Sequence, residues 1–510
     1  MISSKPLAAG TGVLIALMGA LIGGSALGGD DNPRAHLPAH APKTDHAALI
    51  QGALENGEDV TRMCLECHPN ASKEMMATDH FTWGGQPVQV PGSDEVVHIG
   101  KRNALNNFCI GVQPNMGMCV KCHVGQGWTD EAHWEPTEAS VDCLVCHADT
   151  KTYWKTIGGW PAADVDLVAA AKSVGPTNRD NCGQCHATGG GGDGVKHGDL
   201  DNTLRNPNAR IDAHMGKHGM LCTDCHQTAH HQIPGMNNGT SMAQSSHVQC
   251  EDCHDPRPHR DDRLNNHTAT VACETCHIPH MAVDTPTKMS WDWSTAGRDD
   301  IPEDHYTYMK IKGSFVYETM AVPQYKWYNG TNGRHLAGDI IDPSGGPVQM
   351  NPLCGNIADP QARIWPVKVH RSNQPYDTVH NYLLIPKTWG EGGFWTEFDW
   401  QKALTLGELT SGLAYSGHYD FTWTEMDWPL AHMVQTEEKA LQCTDCHAEG
   451  GRMDWEALGY DGDPAILGGR LQNDLVAHPE QLREALEGSA PKYKTYDDGP
   501  VPTVCEEVTR

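Results

Sequence analysis

"NNFCIGVQPNMGMCVKCHVGQGW" occupies residues 106–128. Within it, Cys119 and Cys122 stand three apart with His123 directly behind them, and a further cysteine, Cys109, lies ten residues upstream. The same Cys-x-x-Cys-His pattern recurs along the chain. It is found at Cys64/Cys67/His68, Cys143/Cys146/His147, Cys182/Cys185/His186, Cys222/Cys225/His226, Cys250/Cys253/His254, Cys273/Cys276/His277 and Cys443/Cys446/His447. Sixteen of the 19 cysteines fall in these eight motifs. The pattern reads as covalent attachment of c-type haem. Two thiols at this spacing form thioethers with the porphyrin vinyl groups, and the next residue sets an imidazole where it can reach iron from one side. Zinc sites use Cys-x-x-Cys without a fixed trailing histidine, and a redox dithiol would not recur eight times. The cofactor reading is therefore eight haem c groups with iron.

Composition agrees with a chain whose core is only partly protein. Of 510 residues, 38% are hydrophobic, with 53 glycines, 32 prolines and only 6 phenylalanines, which is thin material for a purely protein core. The net charge of -28 excludes a nucleic-acid binder, which needs a basic face to displace counterions. It suits solubility, or docking to basic partners. Residues 1–28 carry Lys5, then an apolar stretch from Leu7 to Leu27, with Asp30 and Asp31 after it. This is a secretory signal pattern, or an N-terminal membrane anchor of about spanning length. Either way, the rest of the chain is expected in the periplasm.

Residues 29–60 read as a polar linker, and 61–284 as a seven-haem region. Residues 285–430 read as an aromatic-rich region without haem motifs, and 431–510 as the eighth haem with a Gly/Asp-rich tail. "WDWSTAG", "QYKWYNG" and "GGFWTEFDW" are the aromatic runs, and every tyrosine but Tyr153 lies beyond residue 281. "SFVYE" at Ser314–Glu318 reads as a short strand, whereas 401–409 and 479–486 have helical spacing. The expected fold class is mainly α and irregular. It is loop-rich, with covalent haems forming much of the core and an aromatic-rich insertion. "GGGGDG" at 189–194 is a turn, since no strand precedes it and no Lys-Ser/Thr follows as a phosphate loop requires.

Haems that only transfer electrons take a second strong ligand, and 22 of the 30 histidines remain outside the motifs to supply it. The candidates in short, stiff contexts are His80, His197, His214, His231, His247, His267 and His432, with His259 and His98 after them. They join the eight motif histidines as candidate iron ligands. His36, His40 and His46 lie in the linker, where a solvated role is expected. If seven distal histidines serve eight haems, one iron is left open for a substrate.

Longer stretches add a resemblance. "GKRNALNNFCI", "VDCLVCHADTKTYWK", "NCGQCHATGGGGDGVKHGDL", "CHIPHMAVDTPTKMSWDWSTAG" and the late "WPLAHMV" with "ALQCTDCH" resemble the octahaem tetrathionate reductase family of periplasmic cytochromes. The likeness runs from about residue 60 to 455. It implies that one haem takes a lysine as distal ligand and is the active site. Lys155 matches the family position, with Lys151 as the fallback, and His123 would be the proximal ligand of that haem. Ala148, Lys151 and Gln126 depart from the family pattern close to this site, which bears on the substrate more than on the architecture. A lysine must be neutral to bind iron, and burial beside a ferric centre favours the neutral amine; the plainer alternative pairs these lysines with haem propionates or solvent.

Cys109, Cys354 and Cys505 lie outside the motifs. In an oxidising compartment an odd number leaves one free or modified. The plainer reading joins Cys109 to Cys354 or buries it as a thiol; the alternative places Cys109 in the substrate pocket, where a thiol can exchange with a sulfur–sulfur bond. The functional reading is a periplasmic reductase of a small sulfur or nitrogen oxyanion. Its electrons would come from a small cytochrome or a quinol-linked membrane protein and reach a haem held by Cys119, Cys122 and His123, with Lys155 and Cys109 as catalytic candidates. Lys101 and Arg102 could draw the anion in, although solvated charges are the plainer account. The alternatives are a non-catalytic electron conduit with eight bis-histidine haems, and an oxidase of a reduced nitrogen compound.

Overall fold

The computed structural model describes residues 37, 39–90, 92–130, 134–189, 191–240, 242, 248–487, 500–505 and 508. The apolar N-terminal stretch, His36 and His247 lie outside the described residues. Among the described residues, no helix is long and apolar enough to cross a membrane.

The haem motifs dictate the local structure around them. Two cysteines three apart share one side of the chain only in a helical turn, and short turns of this kind carry the motifs: Met116–Cys119, Leu144–His147, Arg179–His186, Cys222–Cys225, Cys273–His277 and Cys443–His447. Helix starts are capped where the sequence supplies an oxygen. Asn56 accepts from Asp59 N, and Asn178 accepts from Asp180 N and Asn181 N. The helices stay short because loops take over beyond each motif. The helical spacing at 401–409 and 479–486 is realised as helices Trp400–Ser411 and Pro479–Leu486.

The expectation of a mainly α fold is corrected between residues 287 and 429. There, β3 (Thr287–Asp292), β4 (Tyr308–Met309), β5 (Gly313–Glu318), β6 (Gln324–Tyr328), β7 (Val348–Gln349), β8 (Arg363–Asp377), β9 (Tyr382–Leu383) and β10 (Tyr419–Pro429) form one mixed sheet. Its order is β4-β5-β3-β8-β10-β7, with β6 and β9 also pairing with β8. β8 is the spine: it runs antiparallel to β10 from Val367↔Pro429 to Asp377↔Tyr419, and parallel to β3 at Ser290↔Arg371. The physical reason is composition, since Trp, Tyr, Phe, Val and Thr suit a pleated, half-buried surface. A small second sheet joins β1 (Pro87–Gln89), β2 (Val96–His98) and β11 (Val501–Pro502) in the order β11-β1-β2.

Loop 106–110, just upstream of the Cys119 motif, docks on the sheet. Trp291, Trp293, Phe315, Met350, Leu383, Ile385, Met426 and Trp428 form one core with Leu105, Phe108, Ile110 and Val195. Trp293 Nε1 donates to the Phe108 carbonyl at 2.9 Å, and Gln374 Nε2 donates to the Asn106 carbonyl at 3.1 Å. The Asn106 side-chain oxygen accepts from Phe108 N and Cys109 N. This turn holds Ile110 at φ 70, a left-handed conformation that disfavours a β-branched residue by about 1–2 kcal/mol.

The disulfide is Cys354–Cys505, not the expected Cys109–Cys354. Cys109 is free and partly buried. The reason is placement: Cys109 is turned into the docked loop, while Cys354 meets the chain segment that carries β11. The bridge closes 151 residues, which in the chain-entropy account stabilises the fold by on the order of 5 kcal/mol. Cys505→Ser is therefore expected to lower the thermal midpoint of the holoprotein and expose the C-terminal segment to limited proteolysis. An unchanged midpoint and cleavage pattern would contradict this role.

Candidate functional site

Five motif histidines face a second imidazole. The ring centroids are 6.0 Å apart for His80–His186, 5.9 Å for His214–His254, 6.4 Å for His226–His432, 6.3 Å for His259–His277 and 6.2 Å for His267–His447. This is too far for packed rings in contact. A metal–imidazole bond is about 2 Å, and two such bonds with the reach from each nitrogen to its ring centre span about 6 Å. The pairs thus fit the two axial positions of one iron.

The outer nitrogens agree. Iron-ligating imidazoles usually donate their other N–H to a carboxylate or carbonyl, which fixes ring orientation. Here His226 Nδ1 donates to Pro234 O at 2.7 Å, His267 Nδ1 to Arg263 O at 2.7 Å and His277 Nδ1 to Gln435 O at 3.4 Å. His447 Nδ1 reaches Asp463 Oδ1 at 2.7 Å, His432 Nδ1 reaches Asp199 Oδ2 at 3.3 Å, and His147 Nδ1 donates to Gly175 O at 2.9 Å. Each contact leaves Nε2 for a partner on the far side of the ring. Burial alone would raise the Asp199 carboxyl, but hydrogen bonds from His432 and the Ala431 N–H outweigh it and hold the group at about 2. Among the described residues, no three His, Cys, Asp or Glu side chains converge as a protein-only metal site requires.

The motif sulfurs also meet between motifs. Cys64 lies within hydrogen-bond reach of Cys143, Cys122 of Cys185, Cys182 of Cys222 and Cys250 of Cys273. Cys146 is close enough to feel the charge of Cys182 and Cys185, Cys253 of Cys225, and Cys446 of Cys276. The eight attachment points therefore form one connected series, in which the Cys119/Cys122 motif joins through the Cys182/Cys185 motif. Cys67, Cys225, Cys253 and Cys443 are exposed, so the series reaches the surface.

His68 is exposed, as His186 and His254 are, and the five facing pairs do not include it. Helix Gly57–Leu65 ends before the motif is complete, and His68 N closes the last turn by donating to Cys64 O at 2.9 Å. Cys67, His68, Pro69 and Asn70 then run along the surface. Its charge, with those of His231 and His46, acts on His147, so the rings of the first and third motifs lie in one neighbourhood.

The remaining sequence candidates are placed as follows. His197 lies near enough to His186 to act on it and sets its ring edge against Trp428 at 4.8 Å. His231 Nδ1 bonds Glu74 Oε2 at 2.9 Å. His98 is exposed on β2. Of the linker histidines, His46 lies near enough to depress His147, and His40 Nε2 contacts Asp224 Oδ1 at 2.8 Å, so this segment is not merely solvated.

His123 differs from the paired histidines. It is fully buried and walled by Phe81, Trp83, Trp128 and Trp134, with centroids 4.8–5.2 Å from its own. Burial pushes its pKa down to about 3. Its Nε2 donates to Phe81 O at 2.5 Å and its Nδ1 accepts from Gly125 N at 3.0 Å, so iron ligation through Nε2 requires that nitrogen to leave the carbonyl. Lys155 lies beside it, with its side chain 3% exposed. Its Nζ donates to His123 O at 2.5 Å and Gly125 O at 2.9 Å, and pairs with Asp142 Oδ2 at 3.0 Å. Tyr153 donates to the same Asp142 oxygen at 2.8 Å, and burial raises its hydroxyl pKa. Lys151 is exposed and away from this cluster. The sequence reading missed Asp142 and Tyr153; both stand inside the quoted stretch "VDCLVCHADTKTYWK", with Asp142 next to Cys143, which was the available signal.

Comparison with known proteins agrees with this geometry. A family model described as "Cytochrome c bacterial" matches residues 288–450, and one described as "Cytochrome c554 and c-prime" matches residues 202–255. The crystal structure of octaheme cytochrome c from Shewanella oneidensis matches with a TM-score of 0.77 and 45% sequence identity, covering 83% of this chain and 98% of that one. An uncharacterized protein of Archaeoglobus fulgidus is 24% identical over 242 residues, 37% of this chain and 80% of its own. The chain belongs to the family of octahaem c-type cytochromes. It carries multiple covalently bound haem c groups and has a redox function.

The mature protein is expected to weigh eight haem groups more than its polypeptide, and the Cys443→Ala/Cys446→Ala variant seven more. Intact-mass spectrometry checks this; a mass equal to the bare chain would contradict it.

Proposed function

We propose that the protein is an exported reductase of a small sulfur or nitrogen oxyanion, acting at the haem attached through Cys119 and Cys122. The observation that carries this reading is the environment of His123. Its ring faces aromatic walls instead of a second imidazole, and the buried ionisable side chain beside it is Lys155. Bound haem supplies electrons and an iron coordination site. The five facing histidine pairs would hold five of the irons and keep chemistry away from them, and in three of the pairs an oxygen behind the ring aims it. Lys155 would be the chain's own lysine ligand to that haem. Asp142 accepts from both its ammonium and the Tyr153 hydroxyl, so the carboxylate is placed to take a proton from Lys155 Nζ and to return it. Donors fit at the exposed ends of the motif series, near Cys67 or Cys443; a small cytochrome or a quinol-linked membrane protein would serve. Export fits the signal pattern of residues 1–28.

Lys155→Leu is expected to change the spectrum of one haem alone and to lower turnover of oxyanions by at least tenfold. Asp142→Asn should leave haem content intact and move the pH profile of that haem. Magnetic circular dichroism of the oxidised protein and viologen-linked assays check both. A Lys155→Leu protein with unchanged spectra and turnover would sink the assignment, and a wild type showing only bis-histidine signals would favour a plain electron conduit.

A further inference from the structure

We propose that the acidic cap over the Cys443/Cys446 motif is the docking surface for a small electron-carrier protein with a basic face, and that electrons enter the molecule at the haem attached there. The proposal deepens the reductase reading and rests on it for the inward direction of electron flow.

The eighth motif is an end of the series. Traced through their sulfur contacts, the motifs have three ends: the first, the second, which carries His123, and the eighth. Backbone joins the eighth to the seventh as well. Leu441 N donates to the Cys276 carbonyl at 3.0 Å, and Gln435 N to the His277 carbonyl at 2.7 Å. Loop 254–267 serves both motifs, setting His259 opposite His277 and His267 opposite His447. A protein docked at this end leaves the His123 region open.

Residues 443–487 build the cap, and its surface charge is one-sided. Eight exposed carboxylates stand against one exposed cationic side chain, Arg483. The two other arginines turn inward: Arg452 donates to the Pro279 carbonyl, and Arg470 to those of Ile357, Asp359 and Ala269. The other exposed end, residues 43–80 around Cys67, is nearly balanced. There four exposed carboxylates stand beside Lys43, Arg62 and Lys73, with Arg62 paired to Glu58 and Asp59 and Lys73 to Glu138. The bias of the cap is therefore local, beyond its share of the net charge.

Within the cap, Ile466 and Leu467 are 79% and 52% exposed. They lie behind the His447 ring. Asp463 contacts His447 Nδ1 at 2.7 Å and caps helix Pro464–Leu467 by accepting from Ala465 N at 2.8 Å. The iron side of the ring is the opposite one, toward His267, so a bound haem does not cover this tip. Beside it opens a cleft of about 440 Å³, lined by His447, Glu449, Met453, Trp455, Asp463 and Ile466 among others. Its lining includes none of Cys443, Cys446 and His267, which sets it apart from the haem position. Apolar walls with Glu449 among them suit the alkyl stem and charged head of a partner's lysine or arginine.

An apolar centre in a charged rim is the make-up of a transient protein interface, and small contact areas suffice for the brief encounters of electron transfer. Opposite charge speeds the encounter, so the partner's docking face is basic. Each encounter moves one electron from the partner's reduced centre, which is oxidised, to the haem attached through Cys443 and Cys446, which is reduced. No bond forms or breaks, and no proton is required.

Mitochondrial cytochrome c, a small basic redox protein, is the probe. Docking serves either direction, so the holoprotein is reduced beforehand and its oxidation by ferricytochrome c is followed by stopped flow. Salt is set at about 0.01 M and about 1 M, between which the screening length falls from about 30 to about 3 Å. Wild type should react at least tenfold faster at low salt. Glu456→Lys/Asp461→Lys in the cap should slow the low-salt reaction at least tenfold and match wild type at high salt. Glu55→Lys/Glu66→Lys, the same change of charge at the Cys67 end, should slow it less than threefold. Ile466→Ser/Leu467→Ser should slow it severalfold at both salt levels, because an apolar contact is not screened, and this variant serves if the charge-reversed cap does not fold. Equal slowing by the two charge-reversed variants, or slowing by neither, overturns the docking surface, as does a larger effect at the Cys67 end. Viologen-linked turnover, which needs no docked protein, keeps the two claims apart. Oxyanion turnover in a protein whose cap variants all react like wild type with cytochrome c removes the docking surface alone. Cap-dependent electron exchange in a protein that reduces no oxyanion removes the reductase alone.

Discussion

An imidazole can hold iron only if its ring is aimed and kept there. In this protein the aiming is done by oxygen atoms behind the rings. Pro234 O, Arg263 O, Gln435 O, Asp199 and Asp463 each engage a histidine Nδ1, which orients Nε2 toward a partner ring about 6 Å away. Most of the motif-bearing part serves that constraint: short capped helices, tight loops, and attachment sulfurs that meet from one motif to the next. The protein core is modest because the cofactors complete it.

Against this pattern, the Cys119 region is organised differently. His123 is walled by aromatic rings, Lys155 is tied to Asp142, and the preceding loop is pinned to a sheet. The sheet supplies what the motif-bearing segments lack, a rigid surface on which charges can be buried at fixed positions. Lys368, His370 and Lys288 are ionisable groups held there, and burial favours their neutral forms.

Much of this was legible in the sequence. The eight motifs indicated attachment and proximal side by spacing alone, and His80, His214, His267 and His432, read from their short stiff contexts, face motif rings. Spacing does not report exposure, however: among the motif histidines His123 is buried, while His68, His186 and His254 are exposed. His259 was ranked behind the better candidates yet faces His277, because "RPHR" looks like a solvated charged run. His197, read the same way, lies near enough to His186 to act on it and packs against Trp428 of the sheet, a contact that local sequence does not reveal. β8 was missed because Pro366, Pro375 and the buried Lys368 and His370 break the alternating pattern that marks a strand. Those same residues make it worth notice: the pattern is broken where the strand carries ionisable side chains inward. The Cys354–Cys505 bridge was equally illegible, since 151 residues separate its ends and pairing over such a span depends on the finished fold.

The central claim is that the facing imidazoles would hold the haem irons in pairs. It is tested most directly by electron paramagnetic resonance of the oxidised His259→Ala holoprotein, compared with wild type. The account predicts that one haem, that attached through Cys273 and Cys276, turns from low spin to high spin while the rest keep their signals. A spectrum identical to wild type would contradict it.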